Sequence, residues 1–314
     1  MTDIEDIKLT NKTDSFSDKI IEDITFLLND FCLNYKGDNI KKDFTKNMLL
    51  QFRKNKLNLK KTQIIKMYRI LLESKSINKN ILFEKMICKK PSRSISGITS
   101  ITLVMSPYPN GQSFSCKHNC YYCPNEPAHE GNDFQAQPRS YLYNEPAVRR
   151  ANQNGFKAYE QMIDRMNTLY DNGHTIDKLE IILEGGTYTE YPIEYLETFN
   201  RDIYYAANIY YDLLVHKKKR EPLSLCEEVK INQLSKTHII GLCIETRPDC
   251  ISSDWIYHFR ECGVTRIQLG VQSTHNDILK KLNRGHTIEQ TLECMEYLKN
   301  LAFKTDIHIM PDLP

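Results

Sequence analysis

The sequence lacks any apolar run near the roughly 18 residues that a membrane span needs, and it does not begin with a recognisable secretory signal. Its charge is almost balanced, with 42 lysines and arginines against 40 acids, so the net charge of +2 indicates no class of partner. We therefore expect a soluble, cytoplasmic protein without a membrane partner. In that reducing compartment, ten cysteines would bind metals or fill core positions rather than form disulfides.

The balanced total hides an uneven distribution of charge along the chain. Sixteen lysines and arginines face only three acids between Lys41 and Arg93. Such a concentrated basic segment is typical of proteins that bind a polyanion. The alternative is a solvated helical face, and charge alone does not decide between the two.

Helical periodicity of the apolar residues predicts a small, basic, all-α domain over residues 1–89. We expect helices around Ile20–Phe31 with Ser17 as a cap, Lys42–Arg53 and Thr62–Ser74. The segment Lys89–Gly97 is rich in charge and in helix-breaking residues, so it predicts a linker. The larger second domain then covers residues 90–314.

Strand and helix patterns alternate in the second domain, which is typical of a parallel sheet in an α/β fold. The predicted strands are Ile101–Met105, Leu179–Leu183, His238–Ile244, Arg266–Val271 and Thr305–Met310. The predicted helices are one long helix through Phe156–Tyr170, one from Pro192, Asp254–Cys262, and Thr287–Leu301 with a Thr287–Gln290 capping box. The length favours an open, partial (β/α) barrel over a closed eight-stranded one. Functional residues of such folds lie past the carboxyl ends of the strands.

Three cysteines follow the first predicted strand within eight residues: Cys116, Cys120 and Cys123. They could bind separate irons of one 4Fe-4S cluster and leave the fourth iron open, because such clusters are usually held by four cysteines. A zinc site with His118 as its fourth ligand is one alternative, and unrelated thiols are another. The remaining cysteines Cys243, Cys250, Cys262 and Cys294 lie singly, so we expect them to fill the core.

An aromatic residue, Tyr122, precedes the last cysteine of this loop. The resulting C-x-x-x-C-x-aromatic-C pattern resembles the fingerprint of the radical S-adenosylmethionine (radical SAM) enzymes. The resemblance implies that Cys116, Cys120 and Cys123 are the catalytic metal ligands. It also implies that S-adenosyl-L-methionine binds the open iron and yields a 5′-deoxyadenosyl radical, and that an electron donor is needed.

Polar residues follow the later predicted strands. Gly185, Gly186 and Thr187 could let backbone approach a ligand closely, although a Gly-Gly turn needs no ligand. Glu245 and Arg247 could contact ribose or a carboxylate, or simply pair with each other. Gln272 and Ser273 could bond adenosine or substrate, or just complete the sheet. A last polar group, which could bind phosphate or carboxylate, comprises Asn283, Arg284 and His286, although His286 alone would more often be structural.

Beyond the cysteine loop, the chain resembles the family of the Elongator catalytic subunit, within its radical SAM half. Eight segments carry this resemblance in the same order over about 225 residues. They are Lys90–Gly97, Cys116–Pro124, Gly173-His174 with Asp177-Lys178, Gly185–Thr187, Ile244–Asp249, Gly270–Ser273, Asn283–Thr287 and Met310–Pro314. The Gly-Gly segment lies where radical SAM enzymes hold the methionine amino group of the cofactor.

The resemblance implies modification of the wobble uridine (position 34) of tRNA. In that family the radical takes a hydrogen from the methyl group of acetyl-CoA, and the acetyl radical adds at carbon 5 of the uracil. The basic segment would then bind the anticodon arm. The candidate tRNA-binding residues are Lys54, Lys60, Lys61, Arg69, Lys89, Lys90 and Arg93.

Two features depart from the family pattern. The gap before the second cysteine is shorter than in much of the family, which leaves a cluster site intact. The sequence also stops before the family's sixth strand and before its acetyltransferase-like, acetyl-CoA-binding domain. We therefore expect a barrel that is missing its last strand, and an acetyl-CoA site outside this chain. Other Elongator-type subunits or a separate acetyltransferase-like chain would be partners.

Overall fold

The structure is a computed structural model that describes residues 18–34, 44–216 and 218–313. The chain divides into two compact units. The first comprises Met1–Ser92 with Thr168–His174, and the second comprises Arg93–Asn167 with Thr175–Pro314. The predicted cap Ser17 and the expected break after the first helix, at residues 36–39, lie outside the described residues.

The described part of the first unit is helical. Its helices are α1 (Asp18–Asn34), α2 (Phe44–Lys54), α3 (Lys61–Glu73) and α4 (Ile81–Ile87). Their apolar faces form one core, in which Tyr68 and Phe83 pack with ring centroids 4.9 Å apart. The sequence did not predict α4, a helix of only seven residues that begins where Asn80 accepts a hydrogen bond from the Phe83 amide at 3.0 Å. The side chain of Asn80 thus supplies the N-cap.

The second unit is built on a five-stranded sheet in the order β1-β2-β3-β4-β5, with every neighbouring pair parallel. The strands are β1 (Thr99–Val104), β2 (Lys178–Glu184), β3 (His238–Thr246), β4 (Val264–Gln272) and β5 (Lys304–Ile309). The helices are α5 (Pro146–Gln153), α6 (Ala158–Asp171), α7 (Ile193–His216), α8 (Leu225–Asn232), α9 (Ser253–Glu261), α10 (Asn276–Lys281) and α11 (Ile288–Asn300). The last four residues of α6 and the three residues after it group with the first unit.

Most predicted elements appear within a few residues of their expected bounds, and two differences have clear local causes. The helix predicted through Phe156–Tyr170 begins only at Ala158, because the chain turns at Gly155 and Phe156, which both have positive φ angles (57° and 56°), and α5 before this turn was not predicted. The unpredicted helix α8 begins with a capping box between Ser224 and Glu227. The predicted capping box of α11 is confirmed, because the Gln290 amide donates to Thr287 Oγ1 at 3.3 Å.

The α/β class, the open parallel sheet and the helical region before it are confirmed. Because all five strands are parallel, their carboxyl ends meet at one edge, where ligand sites of such sheets lie. The sheet interior is apolar, as Ile101, Ile181, Leu242 and Ile267 are fully buried. Among the described residues, no helix combines the length and apolarity that crossing a bilayer requires.

Candidate active site

A cavity of about 210 Å³ opens at the carboxyl edge of the sheet. The residues that line it come from the cysteine loop, from a loop before α5, and from the ends of the later strands. They are Cys116, His118, Cys120, Tyr122, Cys123, Arg139, Ser140, Tyr141, Gly186, Thr187, Glu245, Thr246, Arg247, Gln268, Gly270, Gln272, Arg284 and His308. The cavity therefore brings together the three cysteines and most of the predicted cofactor-binding residues.

Backbone contacts fix the start of the cysteine loop against the end of β2. The Thr187 amide donates to the Ser115 carbonyl at 3.3 Å, and the Arg139 amide donates to the Ser115 hydroxyl at 2.7 Å. Gly186 has a φ of 96°, and a Cβ there would lie 2.6 Å from the Ser115 carbonyl oxygen. Only glycine allows this approach, so the Gly-Gly segment positions the residue directly before Cys116.

Hydrogen-bond donors surround two of the three sulfurs. The Thr187 hydroxyl donates to Cys116 Sγ at 3.1 Å. Guanidinium nitrogens of Arg247 and Arg284 lie 3.7 and 3.6 Å from Cys120 Sγ. Burial raises the pKa of the Cys116 thiol, and the Thr187 hydrogen bond opposes that shift. Positive charge and donors both favour thiolate, which is the form that binds metal.

The spacing of the sulfurs fits a multi-iron cluster better than a single ion. His118, Asp249 and Cys250 form a group whose ligand atoms all lie within 4.8 Å of one another. In the described part of the chain, the three loop cysteines do not form such a group. A zinc ion needs such closeness because its bonds to sulfur are about 2.3 Å long. Thiolates that bind different irons lie farther apart. The residues present thus fit a 4Fe-4S cluster held by Cys116, Cys120 and Cys123.

Half-buried carboxyl groups lie at the ends of β2 and β3. Tyr141 donates a short hydrogen bond to Glu245, which lines the cavity. Burial raises the pKa of Glu245, and burial together with the negative charge of Glu245 raises that of Glu184 to about 7. Glu184 therefore changes its charge near neutral pH, next to the cavity but outside its lining.

The predicted pairing of Glu245 with Arg247 is not what the structure contains. Arg247 is buried and forms a two-point ion pair with Asp249, at 3.0 and 2.7 Å, while Glu245 bonds to Tyr141. Arg247 also donates to the Arg284 carbonyl at 2.6 Å. This network fixes both guanidinium groups beside Cys120, because each is held by acceptors on its other nitrogens.

Arg284 and His286 face inward, whereas Asn283 is exposed, so the three do not form one surface patch. Arg284 is buried and donates to the Gly270 carbonyl, and Asn283 donates to the Asn119 carbonyl at 2.8 Å. The His286 side chain is fully buried, 3.8 Å from Asp249. Burial and then the charge of Arg284 lower the pKa of His286 to about 4. These contacts agree with the structural alternative for His286.

Of the other predicted cofactor-binding residues, Gln272 lines the cavity, whereas Ser273 and Gly185 do not. Gln272 lines the cavity from a bulge in β4, with an unusual φ of 71°. Ser273 is buried, and its hydroxyl accepts a hydrogen bond from the His275 amide at 3.2 Å. Gly185, like Ser273, lies outside the lining; its carbonyl accepts from the Tyr191 hydroxyl.

Sequence reasoning missed several residues of the lining, among them Arg139, Tyr141, Gln268 and His308. Arg139 and Tyr141 lie in the irregular segment before α5, where no periodicity gave a signal. Gln268 and His308 lie inside strands, and their polar side chains at interior strand positions were a signal that could have been used. Cys250 was expected in the core, but it lies half-buried at 3.7 Å from His118.

The candidate tRNA-binding residues fall into two groups. Lys54, Lys60, Lys89 and Lys90 are exposed in the first unit, and Arg93 is exposed in the second. Lys61 is half-buried and donates to the Met86 and Cys88 carbonyls at 3.1 and 3.2 Å. Arg69 donates to the Tyr170 and His174 carbonyls and lies 3.5 Å from the Tyr170 ring. Lys61 and Arg69 thus make structural contacts within the first unit.

Comparison with known proteins gives consistent matches. The family model described as Radical SAM superfamily matches residues 113–313. The tRNA uridine(34) acetyltransferase of Methanocaldococcus infernus is 35% identical over 273 residues, which are 83% of this chain and 47% of that protein. Elongator complex protein 3 of Schizosaccharomyces pombe is 33% identical over 225 residues, 72% of this chain and 39% of that protein.

A solved structure shows a similar fold. It is the archaeal Methanocaldococcus infernus Elp3 with an N-terminal deletion, and it matches with a TM-score of 0.51 and 29% identity. That match covers 69% of this chain and 39% of the solved chain. The chain spans less than half the length of each of these relatives.

Proposed function

The chain belongs to the radical SAM superfamily, and from that premise we propose that it is the radical-generating and RNA-binding portion of a tRNA wobble-uridine-modifying enzyme. The proposal rests first on one observation. Three cysteines, two guanidinium groups and a Gly-Gly turn line or border one cavity at the carboxyl edge of the sheet. The likeness to relatives named tRNA uridine(34) acetyltransferase suggests the substrate.

The cavity residues would have distinct roles. Cys116, Cys120 and Cys123 would hold a 4Fe-4S cluster. When bound, the cluster would supply the electron that splits S-adenosyl-L-methionine into methionine and a 5′-deoxyadenosyl radical. Gly186 and Thr187 line the cavity where the amino-acid part of this cofactor would bind.

Other lining residues would orient the cofactor and exclude water. Tyr122 and Gln272 would contact its nucleoside part, and Glu245, held by Tyr141, would accept hydrogen bonds from ribose hydroxyls. Arg247 and Arg284 would compensate the negative charge on the cluster, because both lie beside Cys120. The network around Asp249 keeps them in place.

The first unit would bind the RNA. Its exposed lysines, among them Lys54, Lys60, Lys89 and Lys90, would contact phosphates of the anticodon arm. An unpaired wobble base can leave its loop and enter a pocket, as is usual in recognition of single-stranded RNA. Acetyl-CoA would be the co-substrate, bound outside the described residues or by an Elongator-type partner.

The decisive experiment measures cofactor cleavage. The chain is reconstituted with iron and sulfide without oxygen, then given S-adenosyl-L-methionine and a strong reductant, and 5′-deoxyadenosine is quantified. We expect formation of 5′-deoxyadenosine, and its loss in the Cys116→Ala/Cys120→Ala/Cys123→Ala variant. The matched control Cys226→Ala removes an exposed cysteine far along the chain and should retain the activity.

A parallel binding measurement tests the RNA part of the proposal. The triple cysteine variant should still bind tRNA, because the proposed phosphate contacts lie in the other unit. If the wild-type chain binds tRNA but yields no 5′-deoxyadenosine, the chain is an RNA-binding protein and the enzymatic proposal is wrong. If it cleaves the cofactor but has no affinity for tRNA, it acts on another substrate.

A further inference from the structure

Four potential metal ligands that the proposed reaction does not use converge beside the cysteine loop. His118 comes from that loop, Glu190 from the short turn after β2, and Asp249 and Cys250 from the turn after β3. Cys250 Sγ lies 3.7 Å from His118 Nε2, 3.7 Å from Glu190 Oε1 and 3.9 Å from Asp249 Oδ1. His118 Nε2 lies 3.6 Å from Glu190 Oε1.

These distances are close to the edges of a coordination tetrahedron. Zinc bonds of about 2.0–2.3 Å, at tetrahedral angles, separate ligand atoms by roughly 3.3–3.6 Å. Four of the six separations within this group are 3.6–3.9 Å. His118, Asp249 and Cys250 already have ligand atoms within 4.8 Å of one another, so a shift of the Glu190 side chain would close the group around one ion.

The acceptor atoms of the group outnumber the protons that the group itself supplies. The Cys250 thiol has one proton to share among His118, Glu190 and Asp249. Burial and the charge of Asp249 raise the pKa of Cys250 to about 12. The His118 ring offers Nε2, which lies 3.7 Å from Cys250 Sγ, as a metal ligand.

Each of the two carboxylates pairs with one positive side chain. Lys117 Nζ lies 3.0 Å from Glu190 Oε1, and Arg247 Nε donates to Asp249 Oδ1 at 3.0 Å. Both leave the carboxylate atoms near Cys250 accessible to a further cation, since a carboxylate oxygen can accept more than one partner.

We propose that His118, Glu190, Asp249 and Cys250 form a second metal site, which binds zinc. Imidazole and thiolate ligands together suit zinc, whereas magnesium and calcium take oxygen ligands. Binding would release the Cys250 proton to solvent and leave a thiolate on the ion. The ion would link the cysteine loop to the ends of β2 and β3, so it would hold the loop that carries the three cluster cysteines.

This site uses none of Cys116, Cys120 and Cys123, so the two metals can be counted separately. After anaerobic reconstitution, we expect about one zinc per chain in addition to iron. Cys250→Ser should reduce zinc at least tenfold, with iron still present, and the matched control Cys226→Ser should keep both. Zinc that persists in Cys250→Ser would overturn the proposal, as would wild-type protein that takes up no zinc when it is offered.

A second measurement guards against zinc that occupies the cluster cysteines. Cobalt is titrated into the Cys116→Ala/Cys120→Ala/Cys123→Ala variant, with and without Cys250→Ser, and folding is checked by circular dichroism. We expect a thiolate-to-cobalt absorption band only where Cys250 is present, with about tenfold weaker cobalt binding after Glu190→Gln. An absent band in the folded triple variant, or the same band without Cys250, would show that the group binds no metal.

Discussion

At the scale of single residues, the most informative group outside the metal sites is the carboxyl of Glu184. It ends β2, mostly buried, and faces the negative charge of Glu245 at the end of β3. Two buried carboxyls at neighbouring strand ends disfavour each other's ionisation. The pKa of about 7 for Glu184, against an ordinary 4.5, means that the folded protein holds a proton there that the unfolded chain has lost.

The sign of the resulting pH dependence follows from linkage. The pKa of Glu184 is higher in the folded protein than in the unfolded chain, so its contribution to the free energy of unfolding is fully present below pH 4.5. That contribution is lost as the pH rises through 7. At 1.36 kcal/mol per pKa unit, the loss at pH 8 is about 3 kcal/mol. The Glu184→Gln substitution removes the carboxyl group and with it this loss of stability. We therefore expect urea unfolding at pH 8 to show that the variant is about 2–3 kcal/mol more stable than the wild type.

The gain from Glu184→Gln should shrink steadily towards pH 4.5. Glu194→Gln, which changes an exposed carboxylate in the first turn of α7, is the matched control and should alter stability little at any pH. A stability difference for Glu184→Gln that stays constant between pH 5 and 8 would contradict the assignment of a raised pKa.

Thr187 offers a second test at this scale, because its hydroxyl donates to Cys116 Sγ. Hydrogen bonds to the sulfurs raise the reduction potential of an iron–sulfur cluster. A net hydrogen-bond contribution of about 0.5–1.5 kcal/mol corresponds to roughly 20–65 mV for one electron. We expect Thr187→Val to lower the midpoint potential by that amount in a redox titration followed by electron paramagnetic resonance.

Thr187→Ser serves as the control because it retains the hydroxyl. It should keep a potential near that of the wild type. Equal potentials in the valine and serine variants would mean that this hydroxyl does not bond to the sulfur in the assembled protein.

At the scale of elements, the junction between β2 and the cysteine loop depends on Gly186. Alanine there would combine an unfavourable positive φ with a Cβ only 2.6 Å from the Ser115 carbonyl oxygen. We expect Gly186→Ala to cost about 1–3 kcal/mol of stability and to lower iron content, because Ser115 and hence Cys116 must move. Iron and sulfide analysis after anaerobic reconstitution measures the second effect.

Gly111→Ala separates backbone strain from collision. Gly111 has a similar φ of 82°, yet a Cβ there would meet nothing within 4 Å. This variant should lose only the stability that the unfavourable φ angle costs, and it should keep its iron. Equal loss of iron in both variants would show that Gly186 does not position the loop.

The sequence predicted elements and motifs better than the contacts between them. All five strands were predicted because alternating β and α patterns and short apolar runs are local signals. The cysteine spacing and the Gly-Gly turn were likewise visible in short segments. By contrast, nothing local indicated that Arg247 pairs with Asp249 rather than Glu245, since both carboxylates lie two residues away. Side-chain direction at a strand end is set by tertiary packing.

The misassigned Cys250 illustrates the same limit. A single cysteine after a strand reads as a core residue, and its ligand partners His118 and Glu190 are 132 and 60 residues away in sequence. Only the parallel sheet, which places the three loops at one edge, brings them together. Likewise, Lys61 and Arg69 could not be distinguished from exposed basic residues before their carbonyl partners were known.

At the scale of the whole molecule, charge is divided between the two units. The first unit contains the basic segment, whereas the second contains the cysteine cavity. A protein that neutralises several phosphates releases counterions, so its affinity for RNA falls as salt rises. The slope of that dependence reports how many phosphates are contacted, independently of any chemistry in the cavity.

We expect the salt dependence of tRNA binding to identify the contact surface. In Lys54→Gln/Lys60→Gln/Lys89→Gln/Lys90→Gln, the slope of log affinity against log salt should fall by about 3, because each phosphate contact contributes about 0.7–0.9. A matched quadruple change of exposed lysines in the second unit, at Lys178, Lys230, Lys299 and Lys304, should leave it unchanged. Filter binding measures both slopes. Counterion release depends only on the lysines that contact phosphate, so equal slopes in the two variants would show that the RNA does not contact these four lysines of the first unit.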